Sequence, residues 1–327
     1  MGEFDLIERF FKLPFVSDRP DVLVGIGDDC ALLSVSSDQH LAVSSDVLVQ
    51  GTHFFADVDP YKLGHKCLAV NLSDLAACGA RPKAFTLALT LPALDASWLE
   101  AFSKGLYDLA QQHGCALIGG DTTRGPLSIG ITIFGEVPKG QMIQRAGASV
   151  GDEVYVSGTL GDARWALMAL QGQLTLSPEQ LSLARNRLEM PTPRVALGLA
   201  LRGLASAAMD LSDGLLGDLK HLLKSSQKGA NLDLERVLQS ELLSPALKTM
   251  GPRQALTMAL QGGDDYELLF TAPKSKRAAL EDVSRALVLP LTAIGEVTEN
   301  GGLKLSNTQG IWGDEDLPDL GSYDHFL

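Results

Sequence analysis

The chain has little with which to build a disulfide or a zinc centre. Its four cysteines, Cys30, Cys67, Cys78 and Cys115, form no Cys-x-x-Cys pair. In a chain of 327 residues such cysteines are expected to be isolated buried thiols. The six histidines show no zinc-type spacing, and no His-Glu-x-x-His occurs. Long apolar runs are missing as well. Ala84 to Leu91 and Ser128 to Phe134 fall far short of the roughly 20 residues that a membrane span needs. Met1 is followed by charged residues rather than an apolar signal core, so a cytoplasmic location without membrane association is expected. Basic residues are scarce: 27 Lys and Arg against 40 Asp and Glu give a formal net charge of −13. An extended phosphate backbone would be repelled, and nucleic acid is not an expected partner. The familiar nucleotide fingerprints are also absent. There is no Gly-x-x-x-x-Gly-Lys-Ser/Thr, no Gly-x-Gly-x-x-Gly after a strand and no His-Arg-Asp loop.

What is present is enough apolar sequence for two cores. Hydrophobic residues make up 45% of the chain, which at this length suits two domains. Helical spacing marks Glu3 to Phe11, Tyr61 to Cys78 and Ser97 to His113, the last with Trp98, Phe102, Leu106 and Leu109 on one face. Strands are expected at Val22–Ile26, Leu41–Val49, Ala84–Leu91, Ala116–Ile118 and Ser128–Phe134. The stretch between Val137 and Asp152 is rich in turn formers. It predicts a linker at 139–151 between domains 1–138 and 152–327. Beyond it, strands are expected at Glu153–Ser157, Tyr266–Thr271 and Thr292–Val297, with helices near Ala163–Leu170, Pro193–Leu204 and Gly214–Ser225. The fold class is α/β of the α+β type, since strand and helix alternate too rarely for a doubly wound sheet.

A local event recurs along the chain: an apolar element meets an acid, usually beside glycine. It occurs at Gly25-Ile-Gly-Asp-Asp29, Ser44-Ser-Asp46, Asn71-Leu-Ser-Asp74, Gly119-Gly-Asp121, Asp210-Leu-Ser-Asp213 and Gly262-Gly-Asp-Asp265. Glycine admits a ligand close to the backbone, and an acid at the end of a core element rests on a rigid support. Taken singly, Asp28, Asp29 and Asp121 could be turn residues, and Ser212 or Asp213 could cap the helix that follows. Asp46 and Asp74 are less easily explained in that way. Asp46 interrupts a strand with Ser44 on its side, and Asp74 shares a helix face with Asn71. Carboxylates gathered at one place would repel one another and any phosphate unless hard cations lay between them, which points to Mg²⁺ and a nucleotide.

These segments resemble the thiamine-monophosphate kinases, within the superfamily of aminoimidazole-ribonucleotide synthetase and selenophosphate synthetase. The likeness rests on Gly25-Ile-Gly-Asp-Asp-Cys-Ala, Asn71-Leu-Ser-Asp-Leu-Ala-Ala-Cys-Gly-Ala, Ile118-Gly-Gly-Asp-Thr-Thr-Arg-Gly-Pro, Met209-Asp-Leu-Ser-Asp-Gly-Leu and Gly262-Gly-Asp-Asp-Tyr-Glu-Leu, in that order. The resemblance implies a two-domain fold. An N-terminal mixed sheet with helices would form the dimer and the ATP site, and a C-terminal α/β domain would close the cleft. It implies ATP as phosphoryl donor, several Mg²⁺ ions, thiamine monophosphate as acceptor and a homodimer. Matched motif by motif, it puts Asp29, Ser44, Ser45, Asp46, Asp74, Asp121, Asp210 and Asp213 on metal. Tyr107, Gly120, Asp121, Arg145 and Ser212 fall on nucleotide, and His53, Asp264 and Tyr323 on the acceptor. No covalent nucleophile is expected, and Asp46, Asp74, Asp121 and Asp210 would assist transfer through metal. The family commonly has Glu where Asp264 stands, so that contact would be a methylene shorter. Another ATP-dependent enzyme of the superfamily, or an ATP sensor without turnover, remains as an alternative. Against the first, Gly2 to Lys12 has no cysteine and the chain does not end in one.

Overall fold

The computed structural model describes residues 3–12, 19–26, 30–299 and 301–306. It divides into two compact units, one formed by Met1–Leu75 with Ala80–Met142 and the other by Ala76–Gly79 with Ile143–Leu327.

In the first unit, strands β1 (Val22–Val24) and β2 (Leu32–Leu33) form a ribbon, and β3 (Gln39–Val49), β4 (Arg81–Leu91), β5 (Ala116–Arg124) and β6 (Ser128–Pro138) form a sheet. The sheet order is β3-β6-β4-β5, and only β4 and β5 run parallel. Along β6 the alternation of isoleucine with small or polar residues makes Ile129, Ile131 and Ile133 one buried face. Helix α2 (Pro60–Ala77) covers that face, with Leu75 against Gly135 and Asp74 against Ser44. Helix α3 (Ala96–Gln112) begins at Asp95, whose carboxylate accepts from the Ser97 and Trp98 amides at 2.9 and 3.1 Å. The two helices cross with backbones nearly touching, because both crossing points are glycines. A Cβ on Gly64 would lie 2.1 Å from the Phe102 carbonyl, and one on Gly105 would lie 1.8 Å from that of Tyr61. Helix α1 (Glu3–Phe10) also packs against α3.

The opposite face of the sheet is largely open. Val22, Ala31 and Leu33 of the ribbon region pack at one end of it, against Ala84, Ala116 and Phe134. A charge network ties the ribbon down: Arg19 donates to Asp21 at 2.9 and 2.6 Å, and Lys83 lies 2.7 Å from the same carboxylate. The hydrogen bond from Arg19 is the main reason that the Asp21 carboxyl is held far below its ordinary range.

The second unit is a six-stranded sheet, ordered β12-β9-β11-β7-β10-β8. Its strands are β7 (Glu153–Ser157), β8 (Ala207–Asp210), β9 (Gly229–Asp233), β10 (Leu268–Ala272), β11 (Leu291–Thr298) and β12 (Gly302–Ser306). All neighbours are antiparallel except β12 and β9. Between them lie α4 (Asp162–Leu170), α5 (Pro178–Glu189), α6 (Val195–Ala200), α7 (Leu215–Ser226), α8 (Leu234–Gln239), α9 (Pro252–Gln261) and α10 (Arg277–Leu287). One sheet face, with Val154, Val156, Met209, Leu232 and Ile294, forms a continuous core with Leu215, Leu219 and Leu222 of α7 and Leu256 of α9. Each such fully buried aliphatic side chain contributes about 1.5–3 kcal/mol.

Several elements depart from the sequence expectation. Strand β5 does not stop at Ile118; it continues through Gly119-Gly-Asp121 to Arg124 because pairing with β4 overrides the glycines. The turn-rich segment from Ile143 to Gly151 is bonded to the second unit. Gln144 O accepts from the Ala208 amide, the Gly151 amide reaches Val297 O, and Arg145 O accepts from the Ser226 hydroxyl.

Candidate active site

In the first unit, period 2 along β3 turns Ser44 and Asp46 toward α2, and α2 brings Asp74 to them. Ser44 Oγ donates to Asp74 Oδ2. Burial, the negative charge of Asp74 and a hydrogen bond to it push the Asp46 carboxyl up to about 6. Asn71, one turn before Asp74, is fully buried. Its Nδ2 donates to Cys67 O at 2.9 Å, and its Oδ1 has no hydrogen-bond partner among the described residues. The arrangement puts two carboxylates and a hydroxyl together, with one unsatisfied amide oxygen a helical turn away.

Asp121 is not brought to this pair within the unit. Asp46 pairs with Ile131, Ile131 with Leu87 and Leu87 with Gly120, all on the helix-covered face, whereas Asp121 pairs with Ala88 on the open one. Three inter-strand spacings of about 4.8 Å each also lie between the two strands. Ser45 likewise faces away from Asp46, its hydroxyl 3.1 Å from Ile131 O and 3.0 Å from Thr132 Oγ1. Gly120 has φ 149°, and a Cβ there would lie 1.9 Å from Leu87 O, so only glycine fits. His53 closes the turn after β3. Its Nδ1 accepts the Val49 amide at 3.0 Å, which leaves the ring proton of the neutral imidazole on Nε2.

In the second unit, Asp210 ends β8 as a buried carboxylate, and the chain turns through Ser212 and Asp213 into α7. The loop Gly262–Tyr266 is laced to this turn: the Asp264 amide donates to Ser212 O and the Tyr266 amide to Leu211 O, each at 2.9 Å. That ladder sets Asp264 beside Ser212. Asp218, buried in the first turn of α7, reaches back to accept the Asp213 and Gly214 amides, both at 3.1 Å. Burial first, and then the charge of Asp213, push the Asp218 carboxyl up to about 7, while the positive charge of Arg145 acts the other way. Asp210, Ser212, Asp213, Asp264 and Arg145 are thus gathered on one side of this unit.

Against known proteins, residues 27–137 match the AIR synthase related N-terminal domain and residues 149–306 its C-terminal domain. The thiamine-monophosphate kinase of Escherichia coli K12 is 47% identical, over 99% of this chain and 98% of that one. The crystal structure of thiamine-monophosphate kinase from Stenotrophomonas maltophilia K279a is 46% identical, covers 94% of this chain and 97% of its own, and superposes with a TM-score of 0.86. The chain belongs to the thiamine-monophosphate kinase family. A solved complex of AaThiL with AMPPCP and TMP is 32% identical, with a TM-score of 0.73 and 93% of each chain covered.

Membership in this kinase family makes the chain an ATP-dependent phosphotransferase of two-domain, AIR-synthase-like fold. Tyr107 is buried, and its hydroxyl donates to Phe11 O at 2.5 Å. Asp29 and Tyr323 lie outside the described residues. Sequence reasoning missed Asp218 and Glu267, both buried. Asp218 is the acid in the first turn of α7, the one pattern that could have drawn attention to it.

Proposed function

We propose that this chain transfers the γ-phosphoryl group of ATP to thiamine monophosphate, giving thiamine diphosphate and ADP. The observation that carries the reading is the Asp46–Asp74 pair with Ser44 on the covered face of the sheet, in a chain that belongs to the kinase family. An oxygen of the acceptor phosphate attacks the γ-phosphorus in line, forming one P–O bond while the bond to the ADP oxygen breaks. The acceptor phosphate is largely ionised near neutral pH, so neither a protein nucleophile nor a general base is needed.

Among the described residues no group of three or more His, Cys, Asp or Glu side chains is arranged to hold a metal by itself. The residues present still fit Mg²⁺, because the pair supplies only hard oxygen donors and the buried Asn71 Oδ1 next to it is unsatisfied. Mg²⁺ bound there would neutralise the phosphates. Asp46, Asp74 and Ser44 would hold one ion on the first unit, Asp210 and Asp213 would hold another on the second, and Asp29 and Ser45 would be further metal positions. Gly120 lets phosphate approach the backbone. Arg145 and Ser212 donate to the nucleotide, and His53, Asp264 and Tyr323 hold the acceptor. Asp121, on the open face, needs a second surface to join Asp46. Leu41, Val43 and Val47 stand 44, 56 and 56% exposed on that face, which supports a homodimer in which each copy completes the other. Dependence on ATP supports action in the cytoplasm.

Incubating the purified chain with Mg²⁺, ATP and thiamine monophosphate tests the reading. Equal amounts of thiamine diphosphate and ADP are expected. ADP without thiamine diphosphate would reject the acceptor.

A further inference from the structure

The loop Gly262–Tyr266 carries two non-glycine residues in the left-handed region, Asp264 at φ 67° and Tyr266 at φ 49°. Such backbone persists only where its surroundings determine it. Here the determinant is a buried charge cluster at the end of the loop. Glu267 is fully buried. Its carboxylate accepts from Ser157 Oγ at 2.6 Å, from Arg194 through Nε at 2.6 Å and through Nη2, and from Arg187 Nη2 at 3.1 Å. Two guanidinium groups on one carboxylate fix its orientation and hence the backbone on either side. Asp265, within the loop, adds an anchor by accepting the Gly161 amide at 2.8 Å.

The neighbouring turn has an anchor of its own. Asp218 holds the Asp213 and Gly214 amides from the side of α7 and is not among the groups that bond Glu267. The two segments that present Asp264 and Ser212 therefore meet through a backbone ladder but rest on separate carboxylates.

We propose that Glu267, clamped by Arg187 and Arg194, is a positioning residue that sets Asp264 for the acceptor, while Asp218 independently sets the Ser212–Asp213 turn for the nucleotide. The assignment rests on the function proposed above. Its consequence is a division of labour between two buried acids that touch no substrate. Replacing Glu267 by glutamine keeps its shape but turns an NH₂ toward a guanidinium, so the clamp opens while the loop sequence is unchanged.

The test compares Glu267→Gln with Asp218→Ala in steady-state kinetics and in hydrogen exchange. Glu267→Gln is expected to raise the KM for thiamine monophosphate by about tenfold or more with the KM for ATP within about twofold, and Asp218→Ala to show the reverse. Arg194→Lys, which keeps the charge and loses the fork, should fall between wild type and Glu267→Gln, and serves if the glutamine variant does not fold. Exchange at the Asp264 and Tyr266 amides should quicken in Glu267→Gln while the β7 amides stay protected. Equal rises in both KM values, or none beside a lowered Tm, would overturn the proposal and leave a merely structural acid. If the wild-type chain forms no thiamine diphosphate, the functional reading fails on its own. Unchanged exchange at the two amides would then still overturn the clamp.

Discussion

Asp46 shows at the level of one residue how function and stability pull apart. With metal absent its carboxyl is raised to about 6 by burial and by Asp74, against an ordinary value near ~4 in an unfolded chain. Between those values the folded protein binds more protons than the unfolded one. The stability that the protonated group gives is thus present below about 4 and lost as pH rises through about 6. Asp46→Asn, measured by thermal melting in chelator, should match wild type near pH 4 and exceed its Tm above pH 6.5, yet lose turnover. A variant less stable than wild type at pH 7.5 without metal would contradict this. The pair itself was legible in the sequence, because an Asp in a strand with Ser44 two residues before it, and an Asp on an apolar helix face, are both local misfits. The bond from the Tyr107 hydroxyl to the Phe11 carbonyl was not legible, since 96 residues separate the two in the chain. Ser45 was legible as facing away from Asp46, since period 2 puts only Ser44 on that side, while the family motif groups the three together.

Among the elements, the crossing of α2 and α3 carries the heaviest steric demand. A methyl group at Gly105 would press on the Tyr61 carbonyl carbon and oxygen, which are backbone atoms with no freedom to rotate away. Gly105→Ala should therefore cost about 1–3 kcal/mol in urea unfolding despite the better helix propensity of alanine. A stabilised variant would show that the helices slide apart freely. Strand β7 and the long strands β3, β4 and β6 were readable because branched residues fill a buried face. Strands β8, β9 and β12 were not, being five residues or fewer with composition little different from a loop. Strand β5 runs past the break that its glycines signal locally, because its parallel ladder with β4 is a non-local gain.

At the scale of the whole molecule, the open sheet face and the misplaced Asp121 have one explanation. If a second copy covers Leu41, Val43 and Val47 and completes the site, then Asp46→Asn and Asp121→Asn subunits, each inactive alone, should complement one another. Mixed and re-associated in equal amounts, they would regain about a quarter of wild-type activity, since half of the dimers would carry one intact site. Absence of any regain would confine the site to a single chain. The division into two units followed from length and from the turn-rich stretch after Pro138. The attachment of Ile143 to Gly151 to the second unit did not, because it depends on hydrogen bonds to β8, β11 and α7 that no local pattern announces.

The central claim is that the Asp46–Asp74 pair holds the charge that lets two phosphates meet. The most direct measurement is the rate of thiamine diphosphate formation by Asp74→Asn at saturating Mg²⁺ and ATP, beside far-ultraviolet circular dichroism of the same sample. The expected result is a native spectrum with the rate lowered by about a hundredfold or more. A native spectrum with wild-type turnover would contradict it.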